Sequence, residues 1–212
     1  MLQPCFYGCE LNAVILVHPA SNFPRMAERP LFSFDYDPSV AEFAVSKRSY
    51  LAARPGASFG YIATSTLVLD TSTASKPRVL LLQRAASDED PNKWEPPGGA
   101  CDDDDESILH AAARELWEEA GLQAARIDGP VGDPYFFTLS DGKKVCQFNF
   151  AVHVKPGDET PPATRLNPKE HQRFVWASES EIKAKADGMD LDFTTEEVER
   201  TVLLLFNDFA RK

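Results

Sequence analysis

Cationic charge is scarce in this sequence: 22 Lys and Arg stand against 33 Asp and Glu, a formal net charge of −11. That balance repels a phosphate backbone and excludes non-specific, electrostatically driven binding to nucleic acid. It also sets a condition, because an anionic substrate needs a cation between itself and such a chain, and a bound divalent metal is the obvious candidate. Cysteine is scarce too. Cys5, Cys9, Cys101 and Cys146 form no C-x-x-C pair and complete no zinc cluster, so they read as free thiols in a reducing compartment. No apolar run approaches the roughly 20 residues of a membrane span. The short run Asn12 to Val17 lacks a basic flank and follows Glu10, which argues against a signal peptide and leaves the cytoplasm as the expected location. There is no repeat, and the only low-complexity tract is Asp102 to Asp105. What is present is ordinary: 43% hydrophobic residues in a chain of 212 can bury one core, with room for an extension.

Residues 1–57 read as an N-terminal extension packing on a main domain over 58–212. Met1 to Pro30 has no sustained period and is either loosely attached or a short edge strand. Val40, Phe43, Ala44, Tyr50 and Leu51 recur at near-helical spacing, with Ser39 as N-cap and Pro55-Gly56 as the stop. Tyr61 to Leu69 and Arg78 to Arg84 predict a hairpin across a polar turn from Asp70 to Lys76. A second hairpin is expected from Pro134 to Leu139 and Val145 to Val154 around Asp141-Gly142. His171 to Trp176 reads as a short strand, and Glu179 to Ala186 and Glu196 to Ala210 as closing helices. Strands and helices in this mixed order predict an α/β fold, a mixed sheet sandwiched by helices.

One helix stands apart. Apolar residues at 108, 109, 112, 113, 116 and 117 make a stripe over Glu106 to Ala120, with Asp104 or Asp105 as N-cap and Gly121 at the C-cap. Glu115, Glu118 and Glu119 then fall at i, i+3 and i+4 and crowd one face. Like charges so spaced cost roughly 0.2 to 0.5 kcal/mol per pair, and the Arg114 to Glu118 pair offsets only part of that. A hard divalent cation such as Mg²⁺ or Mn²⁺ would turn the repulsion into ligation. Just upstream, Gly98 and Gly99 follow Pro97, so the backbone there can approach a ligand closely, and the loop leads into a helix N-terminus, which favours anions.

These residues resemble the Nudix box, G-x5-E-x7-R-E-U-x-E-E-x-G-U with U aliphatic. Glu106, seven residues, and then Arg114-Glu115-Leu116-Trp117-Glu118-Glu119-Ala120-Gly121-Leu122 match without a gap. Six residues rather than five separate Gly99 from Glu106, a one-residue insertion in the acidic loop. The resemblance covers roughly residues 58 to 190, and Leu80 to Arg84 and Trp94 to Gly99 are similar to the strand and turn that lead into the box. It implies a Nudix-type α/β/α sandwich and Mg²⁺- or Mn²⁺-dependent hydrolysis of a diphosphate bond, by attack of a metal-activated water on phosphorus. Position by position, it implies metal ligation by Glu115, Glu118, Glu119 and a Gly98 or Gly99 carbonyl. Glu115 would serve as ligand or base, Arg114 would orient the glutamates, and Glu106 would tie down the loop. Glu170, in Glu170-His-Gln-Arg-Phe-Val-Trp176, resembles a segment that supplies a base or further ligand; the other reading is an exposed loop glutamate.

Other positions stay open. Arg84 is either a phosphate contact or a side chain whose stem covers a sheet edge. The Asp102 to Asp105 run reads as a solvated loop with one capping residue. Tyr135, Phe136, Phe137, Phe148 and Phe150 read mainly as sheet residues, with Phe137 the candidate to stack on a base or line an apolar pocket. The four histidines show no metal-ligand spacing and carry no expected role. The expected partner is a small diphosphate, neither nucleic acid nor membrane, and a homo-oligomer is compatible with the chain. For the group attached to the diphosphate, three readings stand: a nucleoside-linked diphosphate; a non-nucleotide diphosphate such as an isoprenyl one; or a catalytically silent module that senses a ligand. The proline that ADP-ribose hydrolases tend to carry after the box falls on Phe137, with Pro134 three residues early. The tyrosine typical of dinucleoside polyphosphate hydrolases falls on Leu139, whereas Glu170-His171 leans toward that second group.

Overall fold

The computed structural model describes residues 30–72, 76–184 and 191–210. The readings for the segment before Pro30, with its Asn12 to Val17 run and Cys5 and Cys9, lie outside the described residues, as do part of the turn after Asp70 and the last two residues of the helix expected at 179–186.

Strand β3 (Arg78–Arg84) organises the molecule. Val79, Leu80, Leu81 and Leu82 are all fully buried. Successive strand side chains point to opposite faces, so a strand apolar at four consecutive positions must be covered on both. Leu80 and Leu82 enter a core with Ile108, Leu109, Leu116, Phe148 and Phe150, beneath helix α2 (Ile108–Ala120). Val79 and Leu81 enter a second core with Val175, Ile182, Val202 and Leu205, beneath α3 (Glu179–Ala184) and α4 (Glu196–Ala210). The result is the expected α/β/α sandwich around a mixed sheet.

The first hairpin forms only at its base. Strand β2 (Tyr61–Asp70) pairs with β3 at Leu69–Val79 and Asp70–Arg78. Beyond that the two strands diverge. β2 runs parallel to β8 (Lys144–Val154), while β3 runs antiparallel to β9 (His171–Ser178). The segment 94–100 fills the fork. Its β4 (Trp94–Glu95) pairs with β3 and its β5 (Gly98–Ala100) pairs with β2. Pro96 and Pro97 explain the change of partner, since neither has an N–H to continue a ladder. Gly98 and Gly99 therefore stand at the crotch of the sheet. The second hairpin forms as expected, with β7 (Tyr135–Thr138) antiparallel to β8. Strand β6 (Ala124–Asp128), whose charged residues hide it in sequence, pairs with β8 on one side and with the short β1 (Asp35–Tyr36) on the other.

The helix expected near residue 40 is two pieces. A 3-10 turn, Pro38–Phe43, is capped by Asp37 rather than Ser39, and α1, Lys47–Ala52, is capped by Ser46. Val40, Phe43 and Tyr50 belong to the core beneath α2, so this part of the chain is integral to it. The same segment braces the start of α2, with Lys47 Nζ donating to the Cys101 carbonyl (2.7 Å) and pairing with Asp103 (2.8 Å). Helix α2 begins later than its stripe suggests. Its N-cap is Ser107, whose hydroxyl accepts the His110 N–H, and not Asp104 or Asp105. Gly121 closes it in the left-handed region at φ 69°, as a C-cap glycine should. Cys101 and Cys146 are free and buried, and burial pushes each thiol up to about 11, so neither is a reactive thiolate.

Candidate active site

Helix α2 lies over β2 and β5 with its acidic ridge facing the crotch of the sheet. Glu119, buried, reaches across and accepts the Gly98 N–H at 2.7 Å. Space requires glycine at 98, where a Cβ would overlap the Thr64 carbonyl oxygen; a Cβ on Gly99 would lie 2.7 Å from the Glu115 carboxylate and displace that side chain. Only bare backbone lets the helix come this close.

Arg114 organises the ridge from beneath. It is nearly fully buried, and its guanidinium donates to Asp105 (2.9 Å from both Nε and a terminal nitrogen), Glu115 (2.7 Å), Glu118 (3.2 Å) and the Ala100 carbonyl (2.8 Å). Burial alone would favour losing its proton, but the bonds to Asp105 and Glu115 outweigh burial and hold it far above its ordinary value. The sequence places Asp105 in a solvated loop, and the structure corrects this: it is 4% exposed and also accepts the Asp102 N–H, closing the acidic loop. Glu106, expected to tie that loop down, is instead 77% exposed and faces His110 at 3.4 Å. The extra residue before the helix accounts for the exchange, because it carries the loop's inward position back by one. Asp105→Asn is therefore expected to cost about 2 to 3 kcal/mol in denaturant unfolding, by leaving Arg114 short of a buried partner. Glu106→Gln should cost less than about 0.5 kcal/mol. Equal losses would refute the exchange.

The far wall comes from β9. A register shift opposite Gln83 and Arg84 pairs Arg84 with His171 and displaces Gln172 outward, the kind of bulge that re-aims a side chain near a functional site. His171, given no role from sequence, is thereby turned inward. It is 3% exposed, with Nδ1 4.0 Å from Glu119 and Nε2 3.6 Å from Glu95, and neither ring nitrogen has a hydrogen-bond partner among the described residues. Ligand atoms of Glu119, Glu170 and His171 all lie within 4.8 Å of one another, with Glu170 itself exposed. Two buried, orphaned nitrogens beside two carboxylates suit a cation that accepts both oxygen and imidazole. The electrostatics agree. Burial first, and then Glu118 and Glu170 against the pull of Arg114, push Glu115 up to about 7. Burial and Glu115 hold Glu119 well above the usual carboxylate range despite its bond from Gly98.

Arg84 lines a cleft that runs past Glu95, Gly98 and Gly99, but its charge is engaged by Glu95 (2.7 Å) and Asp88 (2.5 Å). In this arrangement it fixes Glu95 beside His171 rather than standing ready for a phosphate. Phe137 lines the cleft on the opposite side, with Tyr135. The structure thus gathers Glu115, Glu118, Glu119, Arg114, Gly98, Gly99 and Glu170 around one site. It adds Asp105, Glu95 and His171, of which only the last had a sequence signal, its place beside Glu170 at the head of a strand.

Comparison with known proteins agrees with this geometry. The sequence model of the NUDIX domain matches residues 62–195, well over half of the chain. The chain belongs to the Nudix family. It is a diphosphate hydrolase of the Nudix type. No match by sequence was found among curated proteins. Among solved structures it is similar to a MutT protein from Methanosarcina mazei Go1 (25% identity, TM-score 0.51, covering 72% of this chain and 96% of that one). It is also similar to a NUDIX hydrolase from Nitrosomonas europaea (23%, 0.51, 70% and 89%) and to the NUDIX domain of Shewanella oneidensis NrtR complexed with ADP ribose (15%, 0.55, 78% and 99%). At such identities the last two speak to the fold. No helix among the described residues is long and apolar enough to cross a membrane.

Proposed function

We propose that this protein hydrolyses a diphosphate bond in a nucleoside-diphosphate-linked substrate, with Mg²⁺ or Mn²⁺ held by Glu115, Glu118, Glu119 and the Gly99 carbonyl. The observation that carries the reading is the charge imbalance around Gly98 and Gly99. Glu119 accepts the Gly98 N–H, Glu115 lies against Gly99, and Glu118, Glu95 and Glu170 stand beside them, while the two guanidiniums of this region, Arg84 and Arg114, are already paired. An anionic diphosphate cannot approach such a surface without a cation. When bound, that cation supplies neutralisation of the phosphoryl oxygens and lowers the pKa of a water.

The chain's own residues do the rest. Glu119 is held by Gly98 and cannot swing away, and Arg114 fixes Glu115 and Glu118 on the same side. Glu170 is exposed, next to buried His171 and anchored through its carbonyl to Ala85 N–H (2.8 Å). It is free to take a proton from a water at the mouth of the site, the role of general base. Gly98 and Gly99 leave backbone against which a diphosphate can lie.

The test is product analysis on a panel of ADP-ribose, a dinucleoside polyphosphate and a prenyl diphosphate, in ¹⁸O-labelled water, with Mg²⁺, with Mn²⁺ and with EDTA. Nucleotide-linked substrates should be cleaved with label entering one phosphate, and EDTA should abolish turnover. Turnover that survives EDTA would remove the metal from the reading. Preferential cleavage of the prenyl diphosphate would replace the nucleotide with an apolar group.

A further inference from the structure

His171 sits at the head of β9 with both ring nitrogens shut away from solvent and without a hydrogen-bond partner among the described residues. Burying a polar group in that way costs free energy, and native structures rarely tolerate it without a cause. Acceptors are close on both sides. Glu95 stands 3.6 Å from Nε2 and Glu119 4.0 Å from Nδ1. Both separations are too long for a hydrogen bond.

The separation from Glu119 suits an ion instead. Two ligand atoms each about 2.1 Å from one cation stand roughly 3 to 4.2 Å apart. Glu119 gives one oxygen to the Gly98 N–H and turns the other toward His171. Glu170 completes a triangle in which the three ligand atoms lie within 4.8 Å of one another. Glu119 and His171 are buried, whereas Glu170 is exposed and closes the remaining distance by a change of rotamer. One Glu170 oxygen suffices for an ion and leaves the other to take a proton from a water.

The surroundings hold the ring for this purpose. The Ala85 N–H bonds the Glu170 carbonyl (2.8 Å), and the His171 N–H bonds the Asn167 carbonyl (2.9 Å), which pins both residues at the bulge. On the far side of the ring, Arg84 fixes Glu95 at 2.7 Å. A carboxylate beside Nε2 favours the proton on that nitrogen and leaves the Nδ1 lone pair pointing at Glu119, the carboxylate–histidine–metal order of many metal centres.

We infer that His171 Nδ1 is a direct ligand of a divalent cation shared with Glu119 and Glu170, with Glu95 orienting the imidazole from its other nitrogen. This rests on the reading that Glu119 belongs to the cation site, and it adds a selectivity. Oxygen ligands alone suit Mg²⁺, whereas an imidazole among them favours Co²⁺ and Ni²⁺.

Electron spin echo envelope modulation of the Mn²⁺-loaded protein, without substrate, tests the ligand directly. The parent should show a ¹⁴N coupling that becomes a ¹⁵N coupling when histidine alone is labelled, and His171→Gln should abolish it. By calorimetry, His171→Gln should weaken Co²⁺ and Ni²⁺ binding at least about tenfold and Mg²⁺ binding less than about threefold. A merely structural histidine would move all three ions alike. The metal-free variant should melt at an unchanged temperature, because the imidazole has no hydrogen bond to lose. If it fails to fold, replacing His18, His110 and His153 together should leave the parent's coupling intact, and its loss there overturns His171. Mn²⁺ bound with no histidine coupling overturns the ligand and leaves the glutamate ridge standing. A parent that binds no Mn²⁺ at millimolar concentration overturns the ridge as well.

Discussion

A Glu119→Gln protein is expected to fold like the parent and to lose at least about 10²-fold in Mg²⁺-dependent turnover. The fold survives because glutamine keeps the acceptor that Gly98 needs and removes a charge from a buried position. Activity goes because a neutral amide is a poor ligand for a hard dication. A further consequence is thermodynamic. Burial pushes Glu115 from 4.5 to about 7 and raises Glu119 in the same direction. A carboxyl raised in the folded state stabilises the fold fully below its unfolded value, and that contribution is lost as pH climbs through its folded value. For Glu115 the loss is on the order of 3 kcal/mol, concentrated between about pH 4.5 and 7. Metal-free protein should therefore melt at lower temperature as pH rises across that window. Millimolar Mg²⁺ or Mn²⁺ should cancel the fall by replacing the protons, and Glu119→Gln should flatten it. A parent and variant with the same turnover, or with superimposable melting curves in pH and metal, would remove Glu119 from the cation site.

Arg114→Met is expected to be the most damaging single change to stability, about 3 to 5 kcal/mol. The guanidinium is 4% exposed and holds Asp105, Glu115, Glu118 and the Ala100 carbonyl together. Methionine fills similar space but leaves buried Asp105 and half-buried Glu115 facing each other's field with no counter-charge. At roughly 2 to 4 °C per kcal/mol for a chain of this size, the melting temperature should drop by on the order of 10 °C. The loss should be greater at pH 8 than at pH 5, because the orphaned acids can take up protons at the lower pH. Arg114→Lys should fall between, since an ammonium keeps the charge but cannot fork to Asp105 and the Ala100 carbonyl at once. A change of under about 1 kcal/mol for Arg114→Met would mean that the ridge is organised by something else.

Much of this architecture can be read from residue order alone. The i, i+3, i+4 spacing of Glu115, Glu118 and Glu119 depends only on helical period, and so does the apolar stripe that turns the same helix toward the sheet. The closing Gly121 and the four consecutive apolar residues of β3 are equally local signals, and they imply the sandwich because a strand buried on both faces demands two layers of cover. Other features escape such reading. Nothing in Ala124 to Asp128 alternates cleanly, so β6 is visible only once β1 and β8 flank it. The expected cap at Asp104 or Asp105 failed because Ser107 competes for the same helix end, and the buried Arg114 claims Asp105.

The residues themselves, then, determined the acidic helix, its glycine partner and the need for a cation, because each follows from spacing over a few neighbouring positions. Only the folded chain decided that Asp105 replaces Glu106 beneath Arg114, that a bulge in β9 turns His171 inward, and that Gln147 lines the cleft beside Tyr135. Those outcomes depend on strand register and on the path of a loop with one extra residue. Both are set by contacts between segments far apart in sequence, where the sum of packing and burial, rather than any local preference, chooses the answer.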